Sequence, residues 1–106
     1  MAYVLRIVQR YLVKDRADFM ALEAKFAAME QQRSDFMRGR RLQPCLGRQP
    51  SNTLIWESEF PTLADAQAAI AKLGSDPQHE HLFRQQDAYI TDAWMEIDEV
   101  LEFEKE

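Results

Sequence analysis

Apolar and polar residues alternate at both ends of this chain. Over residues 3–13 one alternate row is drier than the other. Over residues 90–103 the odd positions are mostly apolar, while the even positions mix carboxylates with Trp94 and Val100. Successive side chains of a strand point to opposite faces of the sheet. The sequence therefore predicts a first and a last strand, each with one dry face and one mixed face.

Apolar residues spaced by three and four positions predict helices between these strands. The first helix follows the N-cap candidate Asp15 and continues to about residue 34. Its buried face is formed by Phe19, Leu22, Phe26 and Met29. A second helix begins after Thr62 in a sequence resembling a capping box, and we expect Gly74 to end it in a left-handed cap. A shorter third helix begins at Asp76-Pro77, because proline is well tolerated at the first helical position.

Two further strands are predicted between the first and second helices. One spans residues 41–47, where Pro44 indicates an edge strand or a bulge, and the other spans residues 53–60. The element order is then β-α-β-β-α-β, which predicts an α+β, ferredoxin-like domain over residues 1–106 with an antiparallel sheet. The expected strand order in space is 4-1-3-2, with the helices on one side.

In this arrangement the other side of the sheet carries no helix, and we call it the bare face. The predicted members of the bare face are Val4, Arg6, Val8, Arg10, Arg41, Gln43, Cys45, Ile55, Glu57, Glu59, Trp94, Glu96 and Val100. Many of these residues are apolar, so we expect a second surface to cover them.

Composition narrows the class of function. A net charge of −5 over 106 residues argues against general nucleic-acid binding, which requires a basic surface. The sequence has no long apolar run and its start lacks a signal-peptide pattern, so we expect a cytoplasmic protein with no membrane contact. The single cysteine, Cys45, has no partner for a disulfide or a metal pair and is expected to be buried.

Charge is distributed unevenly along the chain. The basic segment contains Arg38, Arg40, Arg41 and Arg48 with no acid between them. The acidic segment contains Asp92, Glu96, Asp98, Glu99, Glu102, Glu104 and Glu106 against the single base Lys105. Either the two segments are separately solvated, or they lie beside each other.

Three segments resemble the small dimeric α+β barrel proteins, and NIPSNAP-like members most closely. These segments are Asn52-Thr53-Leu54-Ile55-Trp56-Glu57, Ser75-Asp76-Pro77-Gln78-His79 and Trp94-Met95-Glu96-Ile97-Asp98-Glu99-Val100-Leu101. The resemblance implies a homodimer in which two bare faces close into a barrel. It also implies that the strand 2 region of one subunit lies beside strand 4 of its partner, which would bring the basic and acidic segments together.

The resemblance also bears on activity. Haem-degrading relatives carry an asparagine on the first strand, a tryptophan on the second helix and a histidine on the short helix after it. This chain has Arg or Gln at the polar positions of strand 1 and no Trp over residues 62–74, so no cofactor is expected. The first expectation is a protein of uncharacterised function that binds a small ligand in the barrel lumen. The alternative is a cofactor-independent monooxygenase acting on an aromatic or polyketide-like molecule.

The candidate ligand-binding residues of the lumen are Arg6, Arg41, Glu57, Trp94 and Glu96. Arg6, Glu57 and Glu96 are predicted to form a polar cluster, which either satisfies itself or places a carboxylate as a base. Trp94 could stack on a flat ligand. His79 and His81 are two positions apart on a helix and point to different sides, so no metal site is expected, and His79 is predicted to pack at the helix start.

Overall fold

The computed structural model describes residues 2–103, which form four strands and three helices. The strands are β1 (Ala2–Tyr11), β2 (Arg40–Leu42), β3 (Thr53–Phe60) and β4 (Ile90–Val100), and the helices are α1 (Arg16–Gln32), α2 (Leu63–Ser75) and α3 (Pro77–Asp87). A short 3-10 turn at Val13–Asp15 precedes α1. Glu104, Lys105 and Glu106 of the predicted charged terminus lie outside the described residues.

The sheet confirms the predicted ferredoxin-like topology. Its order is β2-β3-β1-β4, and every neighbouring pair is antiparallel. Because β1 lies between β3 and β4, its residues face a partner on each side: Arg6, for example, lies opposite both Glu57 and Glu96. The odd residues of β1 contribute to the hydrophobic core, so this side of the sheet is the one covered by helices, and we call it the covered face.

The predicted position of the second strand is wrong. The strand spans Arg40–Leu42, and Arg41 pairs with Trp56, which packs in the core of the covered face. Arg41 therefore lies on the covered face, while Arg40 and Leu42 belong to the bare face. Arg41 was predicted to lie on the bare face. Because alternate residues of a strand face opposite sides of a sheet, an error of one residue places every side chain of the strand on the wrong face.

The residues after β2 also differ from the expectation. Gln43 and Cys45 lie in the connection to β3 and not in a strand, so their assignment to the bare face is wrong as well. Cys45 is exposed, contrary to the expected burial. The connection contains the one left-handed glycine among the described residues, Gly47, whose φ is 137°.

The helix ends follow the predicted signals in part. The Thr62 hydroxyl accepts a hydrogen bond from the Asp65 backbone N–H, and the Asp76 carboxylate accepts one from that of His79, so both predicted caps form. Asp15 takes the N-cap position of α1 without a side-chain capping bond. Gly74 does not end α2 in a left-handed cap, because the helix continues to Ser75 and turns at Asp76, which is extended as residues before proline usually are.

The core fills the space between the covered face and the helices. Its largest fully buried side chains include Leu5, Tyr11 and Phe19. The covered side of β4 is less protected than predicted, because only Ile97 packs against the central cluster and the Met95 side chain is 50% exposed. The expectation of a dry row along β4 is therefore wrong over most of its length. Met95 lines a cavity instead of packing against a helix.

Candidate functional site

A cavity of about 300 Å³ lies between the covered face and the helices. Its apolar lining includes Phe26, Phe36, Trp56, Phe83 and Met95, and its polar lining includes Glu23, Glu30, Arg41, His79 and Gln86. Met95 and Phe83 are exposed lining residues, which places the opening beside them. A cavity of this size, mostly apolar with a few polar groups, is typical of a small-molecule site.

Arg41 and Glu23 begin a buried polar network in the wall of the cavity. The Arg41 Nε donates to Glu23 Oε2 at 2.6 Å, and Gln86 Nε2 donates to Glu23 Oε1 at 2.8 Å. Glu23 and Gln86 are both buried. The network thus joins β2, α1 and α3, and every oxygen of the Glu23 carboxylate has a donor.

Glu30 forms the second half of this network. Its Oε2 accepts from Arg41 Nη2 at 2.6 Å, and its Oε1 accepts from Trp56 Nε1 at 3.4 Å and from the Gly39 backbone N–H at 3.2 Å. Burial lowers the pKa of Arg41, but hydrogen bonds and charge from Glu30 and Glu23 outweigh it, so that pKa is raised. The Arg41 guanidinium stays charged and is shared between two carboxylates.

The sequence positions of these two carboxylates contain a signal that hydrophobic periodicity alone does not show. Glu23 follows Phe19 by four residues, and Glu30 follows Phe26 by four, so both acids share the buried face of α1. A buried carboxylate requires a charged or hydrogen-bonding partner. The two acids on the buried face of α1 therefore predict a basic or hydrogen-bonding partner in the core, and the structure identifies Arg41 as that partner.

His79 lies among aromatic rings at the start of α3. Its ring centroid is 5.0 Å from that of Phe26, 5.9 Å from that of Phe36 and 6.3 Å from that of Phe83, which confirms its predicted packing role. Its Nδ1 is buried without a hydrogen-bond partner among the described residues. Burial lowers the pKa of His79 despite nearby carboxylates, so its imidazole is neutral at pH 7.

A second cavity shares Glu30 and Arg41 with the first. It measures about 410 Å³ and is lined mainly by polar groups, among them Gln31 and Arg38. The Arg38 guanidinium donates to the Gln31 carbonyl oxygen. Glu30 and Arg41 therefore line both a mostly apolar cavity and a mostly polar one.

On the bare face, the predicted cluster of Arg6, Glu57 and Glu96 is brought together. Arg6 Nε lies 3.2 Å from Glu57 Oε2, and its Nη1 lies 3.4 Å from Glu96 Oε1 and 2.7 Å from Asp98 Oδ2. Arg40 binds Glu57 from the other side. The hydrogen bond that Arg6 donates to Asp98, together with the charge of Glu57, raises the pKa of Arg6. Each carboxylate of the cluster has a guanidinium donor within the same chain.

Trp94 also lies on the bare face, and its indole N–H and its ring face both have partners within the chain. Its Nε1 donates to Glu96 Oε2 at 3.0 Å, and the Arg10 guanidinium carbon lies 5.1 Å from the ring centroid. Four of the five residues predicted to bind a ligand in the lumen lie on the bare face. Arg41 is the exception, because it lies on the covered face. The cavity described above lies on the opposite side of the sheet from Arg6 and Trp94. Binding of a ligand at the bare face stays a prediction.

Within residues 2–103, no three His, Cys, Asp or Glu side chains come together in a way that could hold a metal ion. None of the helices in that part of the chain combines the length and the hydropathy needed to cross a lipid bilayer.

Comparison with solved structures identifies the fold. A NIPSNAP family protein from Agrobacterium tumefaciens superposes with a TM-score of 0.77 at 14% identity, over 97% of this chain and 89% of that chain. An uncharacterised NIPSNAP domain protein from Burkholderia xenovorans gives 0.75 at 15% identity, over all of both chains. The chain shares the α+β fold of these NIPSNAP proteins, with the four-stranded antiparallel sheet described for this chain. The predicted resemblance is confirmed at this level.

A third structure extends the comparison to a different group. A putative antibiotic biosynthesis monooxygenase from Nitrosomonas europaea superposes with a TM-score of 0.67 at 13% identity, over 94% of this chain and 90% of that chain. No protein-family model matches the sequence, and no curated protein matches it. At these identities the likeness establishes the fold and not the activity.

Proposed function

We propose that this protein binds a small, largely apolar, ring-containing molecule in the cavity between the covered face and the helices. The observation that carries the proposal is the cavity itself: about 300 Å³, open beside Met95 and lined by Phe26, Phe36, Trp56 and Phe83. Aromatic walls favour a flat ring, since ring pairs contribute about 0.5–1.5 kcal/mol beyond their buried area.

The proposal is tested with 2-naphthylmethanol as a neutral aromatic probe, by isothermal titration calorimetry and thermal unfolding. We expect saturable binding and a concentration-dependent rise in Tm, because a ligand that binds only the folded state stabilises it. Gly74 lines the cavity, and a Cβ at that position meets no atom within 4 Å. The larger side chain of Gly74→Trp therefore meets no clash at its Cβ, and we expect its indole to occupy part of the cavity and to weaken binding at least about tenfold.

The matched control is Ala71→Trp, which adds the same side chain at an exposed position of α2. This variant should bind the probe like the unmodified chain. The proposal fails if the probe does not bind, or if Gly74→Trp and Ala71→Trp bind it equally well.

We further propose that two copies associate through their bare faces, as the fold's dimeric relatives suggest. Half-buried apolar side chains on that face, such as Val4, Ile55 and Val100, support this arrangement because a partner would remove them from water. The proposed pairing places the β2 region of one subunit beside β4 of the other. The Arg40 guanidinium binds Glu57, but its side chain is 74% exposed, so a carboxylate of the partner can also approach it; such a contact would set register more than strength.

We place this dimer in the cytoplasm. The exposed thiol of Cys45 supports this location, since free thiols persist in reducing compartments. Labelling of the purified native protein with a thiol reagent, before and after reduction, tests it, and an obligate intermolecular disulfide in freshly lysed cells would argue for an oxidising location.

A second candidate function is a cofactor-independent monooxygenase acting on an aromatic or polyketide-like molecule. His79 favours it, because a neutral imidazole beside an apolar cavity can accept a proton from a phenolic hydroxyl. Molecular oxygen would supply the added atom, and its second atom would leave as water with two hydrogens taken from the substrate, so that the phenol is oxidised to a quinone. The buried carboxylates weigh against it, since the phenolate formed would share the cavity with Glu23 and Glu30.

Oxygen uptake with 1-naphthol as the substrate separates the two candidates. Uptake that depends on the protein, is lost in His79→Phe and is retained in His81→Phe would favour the enzyme. Binding of aromatic probes without any protein-dependent oxygen uptake would favour the binding protein.

A further inference from the structure

The charged groups that line the cavity indicate which class of ligand it takes. This inference rests on the proposed function. Among the lining residues, Glu23, Glu30 and Glu80 carry carboxylates, and Arg41 carries the single guanidinium. His79 adds no positive charge at pH 7 because burial lowers its pKa. The exposed Glu80 is neutralised by Arg84, 2.8 Å away. The excess of negative charge therefore comes from the buried network of Glu23, Arg41 and Glu30.

Within that network, two carboxylates share one guanidinium. The remaining donors are neutral: Gln86 binds Glu23, while Trp56 and the Gly39 backbone bind Glu30. Neutral hydrogen bonds stabilise an ionised carboxylate but do not cancel its charge. One negative charge is left uncompensated in the wall of an apolar cavity, where the low dielectric strengthens its field.

The aromatic residues of the same cavity also favour positive charge. Phe26, Phe36 and Phe83 surround His79, and the faces of such rings carry negative potential. A cation already occupies one of these rings from outside the cavity: the Arg33 guanidinium carbon lies 5.1 Å from the Phe36 centroid. A ring face that contacts a ligand would act on it in the same direction as the carboxylates.

We infer that the cavity selects an organic cation, a molecule with a ring-containing apolar body and a protonated amine. The apolar body fills the space between the covered face and the helices. The ammonium group lies toward the Glu23–Arg41–Glu30 network and takes the place of the missing positive charge. A carboxylate or phenolate ligand is rejected by the same field.

Three probes of matched shape test the inference: 2-naphthylmethylamine, 2-naphthylmethanol and 2-naphthoate, titrated calorimetrically into the full chain at pH 7. We expect the amine to bind about tenfold or more tightly than the alcohol, and the carboxylate to bind most weakly. Glu23→Gln removes the uncompensated charge and should bring the amine and the alcohol within about twofold of each other. Should Glu23→Gln fail to fold, Glu30→Gln makes the same change, and the three probes on the unmodified chain decide alone.

Glu59→Gln is the matched control, because it makes the same change in net charge at an exposed residue of the bare face. It should preserve the preference for the amine. Equal binding of amine and alcohol by the unmodified chain, or a preference for 2-naphthoate, overturns the inference while leaving the proposed function standing. A preference lost equally in Glu59→Gln and Glu23→Gln also overturns it, since attraction by the overall charge of the protein would then explain the result. Failure of all three probes to bind overturns the proposed function itself.

Discussion

Gly39 contacts both the buried ion-pair network and the core. Its backbone N–H donates to Glu30, and its missing side chain leaves room for the indole of Trp56. A Cβ at this position would overlap that ring. Trp56 in turn donates to Glu30, so the indole cannot move without breaking a buried hydrogen bond. This contact fixes where β2 begins and which of its residues faces α1.

We predict that Gly39→Ala destabilises the protein by about 1–3 kcal/mol, the usual cost of overpacking a filled core. Urea unfolding followed by tryptophan fluorescence and circular dichroism measures the change. Gly74→Ala is the control: it lies within α2 where an added Cβ meets nothing, and it should raise stability by up to about 1 kcal/mol. Equal stability of the Gly39→Ala variant and the unmodified chain would contradict the packing described here.

The lowered pKa of His79 makes the stability of the protein depend on pH. Its pKa is lowered in the folded state, so the unfolded chain binds more protons below about pH 6.5, and stability falls as the pH decreases from there through the lower folded value. The carboxylates that face it are Glu23 and Glu30 on α1 and Asp76 and Glu80 around the start of α3.

The measurement is the urea midpoint between pH 7 and pH 5. His79→Phe should flatten the curve in that window, because the titrating group is gone and the aromatic contacts remain. His81→Phe changes an exposed residue of the same helix and should leave the curve as it is. An unaltered pH dependence in the His79→Phe variant would rule out His79 as its source.

At the scale of elements, Asp76 links α1, α2 and α3. Its carboxylate caps α3 through the His79 backbone N–H, and it accepts from Arg33 Nη1 and Nη2, both at 2.7 Å, just beyond α1. The hydrogen bond from Arg33, aided by the cap, lowers the pKa of Asp76 to about 2. The stability that Asp76 contributes is therefore present at neutral pH and is lost as the pH falls from about 3.8 through about 2.

We predict that Asp76→Ala costs about 1–2 kcal/mol, because it removes a helix cap as well as an ion pair. Asp76→Asn retains a capping oxygen and loses the charge, so its cost should be smaller. Chemical unfolding at pH 7 orders the three proteins. If the two variants prove equally unstable, the cap contributes nothing beyond the ion pair.

At the scale of the whole molecule, the sheet has two faces with different roles. The covered face supplies the core and the cavity, whereas the bare face carries apolar side chains among self-satisfied ion pairs. This division leaves the bare face free for a second copy while the cavity stays within one chain. Ligand binding and dimer formation can therefore be tested separately.

We predict that Leu42→Glu, on the bare face of β2, shifts the protein toward a monomer without unfolding it. Leu42 is 39% exposed in the single chain, so the charge is tolerated there but disfavoured in a dry interface. Light scattering after size exclusion measures the mass, and circular dichroism confirms folding. Ala24→Glu, on the exposed side of α1, is the control. A monomeric mass for the unmodified chain at micromolar concentration would contradict the proposed dimer.

The amino-acid sequence determined the element order, the sheet topology and the bare face of β1, β3 and β4. These features depend on local periodicity and on turn and cap residues such as Thr62 and Asp76, which act over a few positions. The same local rules brought Arg6, Glu57 and Glu96 together correctly once the strand order was known.

Only the tertiary structure decided the register of β2, the side taken by Arg41 and the presence of a cavity beneath Met95. Register in a strand of three residues depends on what packs against it, here Trp56 beside Gly39 and the two carboxylates of α1. A cavity likewise depends on how far the helices stand from the sheet, which is a property of packing at a distance and leaves no periodic trace in the chain.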